Sequence, residues 1–374
     1  MTTFTPLTMA FTVSSILDNS VAHKIYTEEG ERAYVAYHQD TRREPYPAGT
    51  LAPVLGTLIQ FNELLRFEAF SPVLYTLNHA GVASKIMHSL EEHGLLRTTG
   101  VQSPFRDAVY LRGGSEDERI AQLLALRAEF LFTTNAADAE NAMRQGIAAC
   151  IVPRGPAPDG QLGATSLLID GDLDGVAFDL VREMRFRELL KEHGNLQTTL
   201  KIYDQEERAL LEKGQMIGLG PFAPLLGIMT HLPDGMASVV ENTVRNSWAK
   251  GRANETLEET LGMTNLAARS LGSGRVSKRD TMQGGKGVAH LHFDDSGHHI
   301  YSTINKGFTG AHVIWPKDTD GLWRPIAYSG TPDALQRVLA IKGSESGFDP
   351  DGARARIGAR LSPRPRGWGH GGGA

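Results

Sequence analysis

The sequence contains one cysteine, no long apolar run and no large excess of charge, and each absence excludes a class of protein. A single cysteine, Cys150, cannot form an intramolecular disulfide, which excludes a disulfide-stabilised fold and fits a reducing compartment. No stretch approaches the roughly 18–20 apolar residues that a membrane-spanning helix needs. The net charge of −5 gives no electrostatic reason to bind nucleic acid or an anionic membrane.

The amino terminus and the composition are typical of a globular protein. The stretch MTTFTPLTMAFTVSSIL lacks the basic segment and the clean apolar segment of a secretion signal. Cys150 lies in the apolar run IAACIVP, which predicts a buried, unreactive thiol rather than a nucleophile. We therefore expect a soluble cytoplasmic protein that binds neither nucleic acid polymers nor membranes.

Strand-like and helix-like segments alternate along the chain. PVLYTLNHAG reads as a strand with a polar turn, and VASKIMHSLEEHGLL has helical spacing of apolar residues. A strand, a polar turn, a helix, a glycine and a second strand follow one another in two segments, EFLFTTNAADAENAMRQGIAACIVP and VAHLHFDDSGHHIYSTINKGFTGAHVIWP. A further helix is predicted for VREMRFRELLKEHG. This alternation predicts an α/β protein with a mostly parallel sheet and functional residues at the carboxyl ends of its strands.

Two of these segments look like copies of each other. The separation of Thr134 from Gly146 equals that of Asp295 from Gly307, and in both segments a proline closes the second strand. We interpret the pair as a duplicated Rossmann-like domain with a degenerate first half. Chance similarity between two βαβ units is the alternative.

Composition predicts where the halves begin and end. The linker PRGPAPDGQLGA divides a first half, 1–153, from a second half, 154–343, and the low-complexity segment 344–374 is expected to be disordered. The first half carries hydroxyl residues at its strand ends and the second carries acids, so only the second is expected to hold a divalent cation. Segment 231–285 contains a predicted helix, NETLEETL, and no obvious strand.

Acidic residues crowd the end of one predicted strand, in the stretch SLLIDGDLDGVAFD. Carboxylates packed at the end of a buried strand repel one another unless a positive charge lies among them. Asp172 would end the strand, Asp174 would follow in the turn, and Asp294 and Asp295 end another apolar run, VAHLHF. Their convergence would form an oxygen-rich site for Mg²⁺, with substrate phosphate completing the coordination of the ion.

Such a site supports phosphoryl transfer. One aspartate can attack phosphorus, and a second can protonate the leaving group and then activate water. The alternatives are a calcium-binding loop, although Val181 stands where such a loop needs Glu, and an acidic turn without a metal. Four histidines lack the spacing of a standard zinc site, so we expect them at the surface or around the acids: His290, His292, His298 and His299.

Several stretches, in order over residues 10–315, resemble the cytosolic 5′-nucleotidase type I family. They are AFTVSSILDNSVAHKIYTEEGERAYVAYH, YTLNHAGVASKIMHSL, GVQSPFRDAVYL, FLFTTNAADAENAMRQGIAACIV, DGDLDGVAF and HFDDSGHHIYSTINKGFTGAHV. DLDGVAFD also resembles the first motif, D-x-D-x-[TV], of the haloacid dehalogenase-like hydrolases. The combination is more specific than any one of these stretches.

The resemblance implies a haloacid dehalogenase-like fold and Mg²⁺-dependent hydrolysis of nucleoside 5′-monophosphates through an aspartyl-phosphate. It makes Asp172 the nucleophile and Asp174 the acid/base, and Asp172, Asp174, Asp294 and Asp295 the metal site. An alternative register makes Asp170 the nucleophile and Asp172 the acid. We prefer the first register because Gly-Val-Ala-Phe then falls where the family has its small and apolar residues.

The resemblance also implies groups that bind the substrate. Lys278 or Lys286 would neutralise the phosphate, and Thr76, Asn78 and His79 match a polar turn that contributes to the nucleotide pocket. The family's second motif contains a threonine that binds phosphate. Its nearest match here, LAARS, has Ala267 instead, with Thr230 and Thr264 as rival candidates.

Two other functions remain open. A phosphatase or phosphotransferase for another phosphorylated metabolite would use the same chemistry, because a fold does not determine the leaving group. A nucleotide sensor without turnover would follow from the departures in the second and third motifs. The resemblance also leaves open whether the protein forms a homo-oligomer.

Overall fold

The computed structural model of the protein describes residues 6–65, 68–76, 82–96, 107–110, 115–243, 247–263, 267–270 and 287–316. Within these ranges, ten strands form one sheet in the order β3-β2-β1-β4-β5-β10-β9-β6-β7-β8. The strands are β1 Leu7–Thr12, β2 Phe70–Thr76, β3 Asp107–Tyr110, β4 Phe130–Thr133, β5 Ala148–Ile151, β6 Ser166–Asp172, β7 Ala237–Thr243, β8 Ala267–Ser270, β9 Val288–Asp294 and β10 Thr309–Val313.

Helices connect the strands. They are α1 Val13–Ile16, α2 Ser20–Glu29, α3 Glu31–Asp40, α4 Ala52–Leu65, α5 Ala83–Glu92, α6 Glu116–Ala125, α7 Ala136–Arg144, α8 Val181–His193, α9 Leu196–Glu212, α10 Ala223–Thr230, α11 Ser247–Leu261 and α12 Gly297–Ile304. The prediction of an α/β protein with a mostly parallel sheet is confirmed. None of the helices in the described ranges is long and apolar enough to cross a membrane.

The sheet contains the same strand order twice. β1 to β5 follow the order 3-2-1-4-5, and β6 to β10 follow it again when the sheet is read from its other end. Neighbours within each half are parallel, whereas the halves join through the antiparallel pair β5–β10, where His312 lies opposite Ile151. The repeated order favours the predicted duplication, while the domain limits at 153 and 343 stay predictions.

The antiparallel join has a geometric consequence for function. Because the two halves run in opposite directions, the carboxyl ends of β1 and β4 lie at one edge of the sheet and those of β6 and β9 lie at the other. Ligand sites of parallel sheets form at the carboxyl ends of their strands. The fold therefore offers two separate edges for binding.

The predicted elements on either side of the join form where the sequence pattern placed them. Asn135 caps α7 by accepting hydrogen bonds from the backbone N–H groups of Ala137 and Asp138, and α8 ends at Gly194, whose φ is +60°. β1 and β4 are buried throughout, as expected for parallel strands covered on both faces. The predicted burial of Cys150 is also confirmed.

The prediction of no obvious strand in 231–285 is wrong. β7 and β8 lie in this segment, on either side of α11, which contains the predicted helix NETLEETL. β7 is ASVVENT, whose apolar run is only two residues long, and β8 has four residues. β7 forms because it pairs with β6, and β8 forms because it pairs with β7; local periodicity does not reveal either pairing.

One hydrophobic core spans both halves. Phe222 contacts Phe132 of β4 and Phe293 of β9, with ring centroids 6.3 and 4.5 Å away. Phe132 also stacks on Phe11 of β1 at 4.9 Å. Aromatic pairs of this kind each stabilise by about 0.5–1.5 kcal/mol beyond area burial. A separate small cluster, centred on Leu189 and Tyr203, packs α8 against α9.

Candidate active site

The strand ends of β6 and β9 bring three acidic side chains together. The two strands are parallel neighbours, with Gly171 opposite Phe293, so Asp172 and Asp294 leave the sheet at the same edge. Carboxylate oxygens of Asp172, Asp294 and Asp295 all lie within 4.8 Å of one another, a spacing that suits a shared metal ion. Asp294 is buried and the other two acids are half-buried.

Backbone N–H groups orient these acids. Oδ1 of Asp172 accepts a hydrogen bond of 2.9 Å from Leu173, and Oδ1 of Asp294 accepts one of 2.8 Å from Ser296. The Nε2 atom of His312 lies 3.1 Å from the carbonyl oxygen of Asp295. The carboxylates of Asp172 and Asp294 are therefore held by the turns that follow their strands, and the contact of His312 fixes the backbone of Asp295.

The turn after β6 approaches Asp295 closely enough to require glycine. Gly175 has a φ of +76°, and a Cβ atom at this position would lie 3.0 Å from the side chain of Asp295. The Nε1 atom of Trp315, beyond β10, donates a 2.7 Å hydrogen bond to the carbonyl oxygen of Gly175. The glycine of DLDGV thus lets the turn pack against the acid cluster.

His292 is a buried link between two acids. Its Nδ1 atom lies 3.3 Å from Oδ1 of Asp170, and its Nε2 atom lies 3.4 Å from Oδ2 of Asp294. Burial alone would lower the pKa of His292, but the carboxylates of Asp170 and Asp294 raise it to about 9. A protonated imidazole therefore offsets part of the negative charge at the site.

The other three histidines are divided between core and surface. His299 Nδ1 lies 3.4 Å from Oδ2 of Asp294 on the outer side, and His298 is exposed. His290 is fully buried beside Phe308, and burial lowers its pKa to about 3, so it is neutral. The expectation that these residues lie at the surface or around the acids therefore fits all but His290, which belongs to the core.

Asp170 and Asp174 lie outside the group of three acids. Asp170 is 2% exposed and faces His292 from within β6. Asp174 is also buried, and its Oδ1 atom lies 3.6 Å from Nη1 of Arg182. Of the four metal ligands predicted from the sequence, the structure therefore brings three together and places Asp174 against a cation.

Arg182 connects Asp174 to the helices above the sheet edge. Its Nε atom donates a 3.1 Å hydrogen bond to the hydroxyl of Tyr203, and its Nη2 atom lies 3.5 Å from Glu207. Glu207 in turn accepts a 3.0 Å hydrogen bond from Arg252 of α11. This buried ionic chain fixes α8, α9 and α11 relative to the end of β6.

The remaining predicted residues lie elsewhere. Thr76 ends β2 at the opposite edge of the sheet, away from the acids. Thr230 donates its hydroxyl to the carbonyl of Gly227 within α10, and Ala267 begins β8. Asn78, His79, Thr264, Lys278 and Lys286 lie outside the described residues.

The strand β7, which was not predicted from the sequence, ends at the same edge of the sheet as Asp172. β7 lies beside β6 on the side opposite β9, and Asp172 is in register with Asn242. Thr243, the last residue of β7, therefore ends a neighbouring strand one position beyond the register of Asp172. The signal was Val-Val followed by polar residues and Thr, which is too short to identify a strand by periodicity.

Comparison with protein-family models agrees with this architecture. The model of a family described as 5′-nucleotidase matches residues 2–319, a range that includes β6, β9 and all three clustered acids. The resemblance found in the sequence is thereby confirmed at the level of the family, and the fold is compatible with a haloacid dehalogenase-like architecture. Because the match covers most of the chain, the protein belongs to the 5′-nucleotidase family of hydrolases.

Proposed function

We propose that the protein hydrolyses nucleoside 5′-monophosphates with Mg²⁺, through an aspartyl-phosphate formed on Asp172. The observation that carries this proposal is the convergence of three carboxylates within 4.8 Å at the carboxyl ends of β6 and β9. Family membership supplies the class of substrate. The position of the acids at a strand-end crevice agrees with where α/β enzymes bind ligands.

The donor set fits a hard divalent cation. Asp172, Asp294 and Asp295 offer only oxygen ligands, and three neighbouring carboxylates repel one another without a cation between them. When bound, Mg²⁺ would neutralise charge on the phosphate oxygens and hold the substrate in place. His292 supports this set by holding Asp294 from the protein side.

The chemistry assigns one task to each aspartate. A carboxylate oxygen of Asp172 attacks phosphorus, and the bond from phosphorus to the 5′ oxygen of the nucleoside breaks as the new bond forms. Asp174 must take up a proton in the complex with substrate, because Arg182 favours its ionised form, and it gives that proton to the leaving oxygen. Asp174 then takes a proton from a water molecule, which attacks the aspartyl-phosphate and releases inorganic phosphate and free Asp172.

The surroundings favour Asp172 over Asp170 as nucleophile. Asp170 is occupied by His292 within the strand, whereas Asp172 stands among the clustered acids. Arg182 contacts Asp174, two residues further along the chain from Asp172. For the phosphate itself we propose, by family resemblance, Lys278 or Lys286 as the cation.

Phosphate release from a panel of nucleoside monophosphates and sugar phosphates, with Mg²⁺ or with EDTA, tests the proposal. We expect Mg²⁺-dependent release from nucleoside monophosphates and a loss of at least about 10³-fold in Asp172→Asn. Asp159→Asn, a change at an exposed acid, is the matched control and should retain activity. Acid-quenched single turnover should trap labelled phosphate on the wild-type protein.

Other outcomes identify the alternatives. Full activity in Asp172→Asn with loss in Asp170→Asn would move the nucleophile to Asp170. Preference for sugar phosphates would indicate a phosphatase for another metabolite. Nucleotide binding without any phosphate release would indicate a sensor and overturn the proposed hydrolysis.

A further inference from the structure

A cavity lined by both polar and apolar side chains lies at the edge of the sheet opposite the acid cluster. It has a volume of about 660 Å³ and opens at the carboxyl ends of β1, β2 and β4, in the first half of the chain. This volume is within the roughly 300–1,000 Å³ that is usual for ligand pockets. The antiparallel join of β5 and β10 separates this cavity from the acid cluster.

The repeated strand order makes the cavity the counterpart of the acid site. β1 and β4 occupy the positions in the first half that β6 and β9 occupy in the second. Counted from the last residue of each strand, the equivalent pairs are Thr12 with Asp172, Ser14 with Asp174, Thr133 with Asp294 and Thr134 with Asp295. Each of the four acids predicted to form the catalytic and metal site thus has a neutral hydroxyl residue as its counterpart.

The hydroxyl groups form a connected set with a cation. The hydroxyls of Ser14 and Thr134 lie 2.7 Å apart, joining the ends of β1 and β4. The Nη2 atom of Arg154, which follows β5, donates a 3.3 Å hydrogen bond to Thr134. A guanidinium with neighbouring hydroxyl groups is an arrangement that binds phosphate oxygens without a metal ion.

None of the described acids around the cavity forms a salt bridge with Arg154, so its guanidinium can bind an anion. Asp138 is paired with Arg119 at 2.6 Å, and Glu31 is exposed at the rim. Arg154 is half-buried, and within the described residues it has no carboxylate at salt-bridge distance, although the charge of Asp18 is close enough to act on it. An incoming phosphate would therefore meet a net positive group in a partly desolvated setting.

Aromatic side chains line the other side of the cavity. Tyr26 and Tyr34 meet edge to face at 5.6 Å, and Tyr26 is 53% exposed. Tyr75 lies at the base, where its hydroxyl donates to Asp138. Exposed aromatic faces beside a phosphate-binding group suit a ligand with a planar base.

We propose that the cavity at the carboxyl ends of β1 and β4, completed by Arg154 at the first residue of the second half, binds a nucleoside monophosphate without a metal ion and without hydrolysing it. Arg154, Ser14 and Thr134 contact the phosphate, and Tyr26 and Tyr34 contact the base. Hydrolysis does not follow, because the strand-end positions that carry the nucleophile and the metal ligands in the second half carry hydroxyls here. The proposal concerns binding and stands whether or not the acid site turns over.

Calorimetry on the full chain in EDTA tests the proposal. Without a divalent cation the three carboxylates of the acid site repel phosphate, so we expect one bound adenosine 5′-monophosphate per chain, at this cavity. Adding Mg²⁺ to the Asp172→Asn protein should reveal a second site. Inorganic phosphate and adenosine, titrated separately, distinguish recognition of the phosphate from recognition of the base.

Variants assign the binding in EDTA to the cavity. Arg154→Met should weaken it about tenfold or more, since a charge-assisted hydrogen bond is lost. Arg187→Met removes an exposed arginine and should leave it unchanged. Tyr26→Ala, at an exposed position, should weaken nucleotide binding and leave binding of inorganic phosphate intact. If Arg154→Met does not fold, Thr134→Val tests the phosphate-binding group instead.

Two results would overturn the proposal: no binding of the nucleotide by the wild-type protein in EDTA, or binding by folded Arg154→Met and Thr134→Val within twofold of wild type. Phosphate release by the wild-type protein is measured separately in Mg²⁺. Failure of hydrolysis therefore remains distinguishable from failure of the second site.

Discussion

At the scale of single residues, His292 determines how the charge of the acid site is balanced. It is fully buried between Asp170 and Asp294, so its imidazolium holds both carboxylates from the protein side. Groups that orient a metal ligand in this way typically change metal affinity by 10–100-fold when they are removed. Sequence alone placed His292 near the acids without revealing this role.

We therefore predict that His292→Gln raises the Mg²⁺ concentration needed for half-maximal activity by about 10–100-fold. The measurement is phosphate release as a function of Mg²⁺ at saturating substrate. His298→Gln changes an exposed histidine near the same strand end and should behave like wild type. An unchanged Mg²⁺ requirement in folded His292→Gln would contradict this role.

A second buried histidine predicts how stability depends on pH. Burial, aided by the charge of Lys85, lowers the pKa of His38 to about 4, from an ordinary value of 6.5. Between pH 4 and pH 6.5 the unfolded chain binds more protons than the folded one. The free energy of unfolding therefore falls as pH drops through this window, by at most about 1.4 kcal/mol per pH unit for one group.

His38→Gln should flatten this slope, because glutamine does not titrate. Urea unfolding at several pH values from 4 to 7.5 measures it, and the exposed His193→Gln should keep the wild-type slope. The variant will also lose stability at all pH values, because Tyr46 loses its 3.1 Å partner. If the free energy of unfolding of His38→Gln falls with pH as steeply as that of wild type, His38 does not cause the loss of stability at acid pH.

At the scale of elements, the turn after β6 is shaped by its contact with the turn after β9. Gly175 combines a positive φ with a close approach to Asp295, so any side chain would have to displace that carboxylate. We expect Gly175→Ala to lower kcat by at least about tenfold. It should also raise the Mg²⁺ concentration needed for half-maximal activity, because a misplaced carboxylate would bind the ion less well.

Gly194→Ala provides the matched control for this turn. Gly194 also has a positive φ, of +60°, yet no atom lies within 4 Å of a Cβ placed there. Both variants therefore pay a backbone cost of about 1 kcal/mol, and only Gly175→Ala also disturbs the acids. Equal activity of the two variants in steady-state assays would refute the contact argument.

At the scale of the whole molecule, the two halves share one core. Phe222 packs against Phe130 and Phe132 of the first half and against Phe293 of the second. A buried aromatic at such a join should make the halves unfold together. The predicted division at residue 153 would then mark the repeat of the strand order, and the two halves would not be independently stable units.

Phe222→Ala should lower the free energy of unfolding by about 3–5 kcal/mol in a single transition. Fluorescence and circular dichroism during urea unfolding should report the same midpoint. Phe186→Ala, in the small cluster between α8 and α9, should cost less, because that side chain is only partly buried. Two transitions, one of them unmoved by Phe222→Ala, would instead show that the halves are independent units.

Local sequence was enough to predict the features that depend on neighbours along the chain. Alternating strands and helices, the acids at two strand ends and the glycine-closed helices all follow from local periodicity and turn chemistry. The family resemblance rested on the same local stretches. β7 and β8 were not predicted, because they form by pairing with β6 and with each other rather than by strong local preference.

Which of the strand-end groups meet depends on contacts that form only in the folded chain. The antiparallel contact of β5 with β10 places Thr76 and Arg154 at the opposite edge from Asp172. Packing of α8 and α9 pairs Asp174 with Arg182 rather than with the cluster of three acids, and the pairing of β6 with β9 places His292 between two acids. These outcomes depend on contacts between residues far apart in the chain, which spacing along the sequence does not encode.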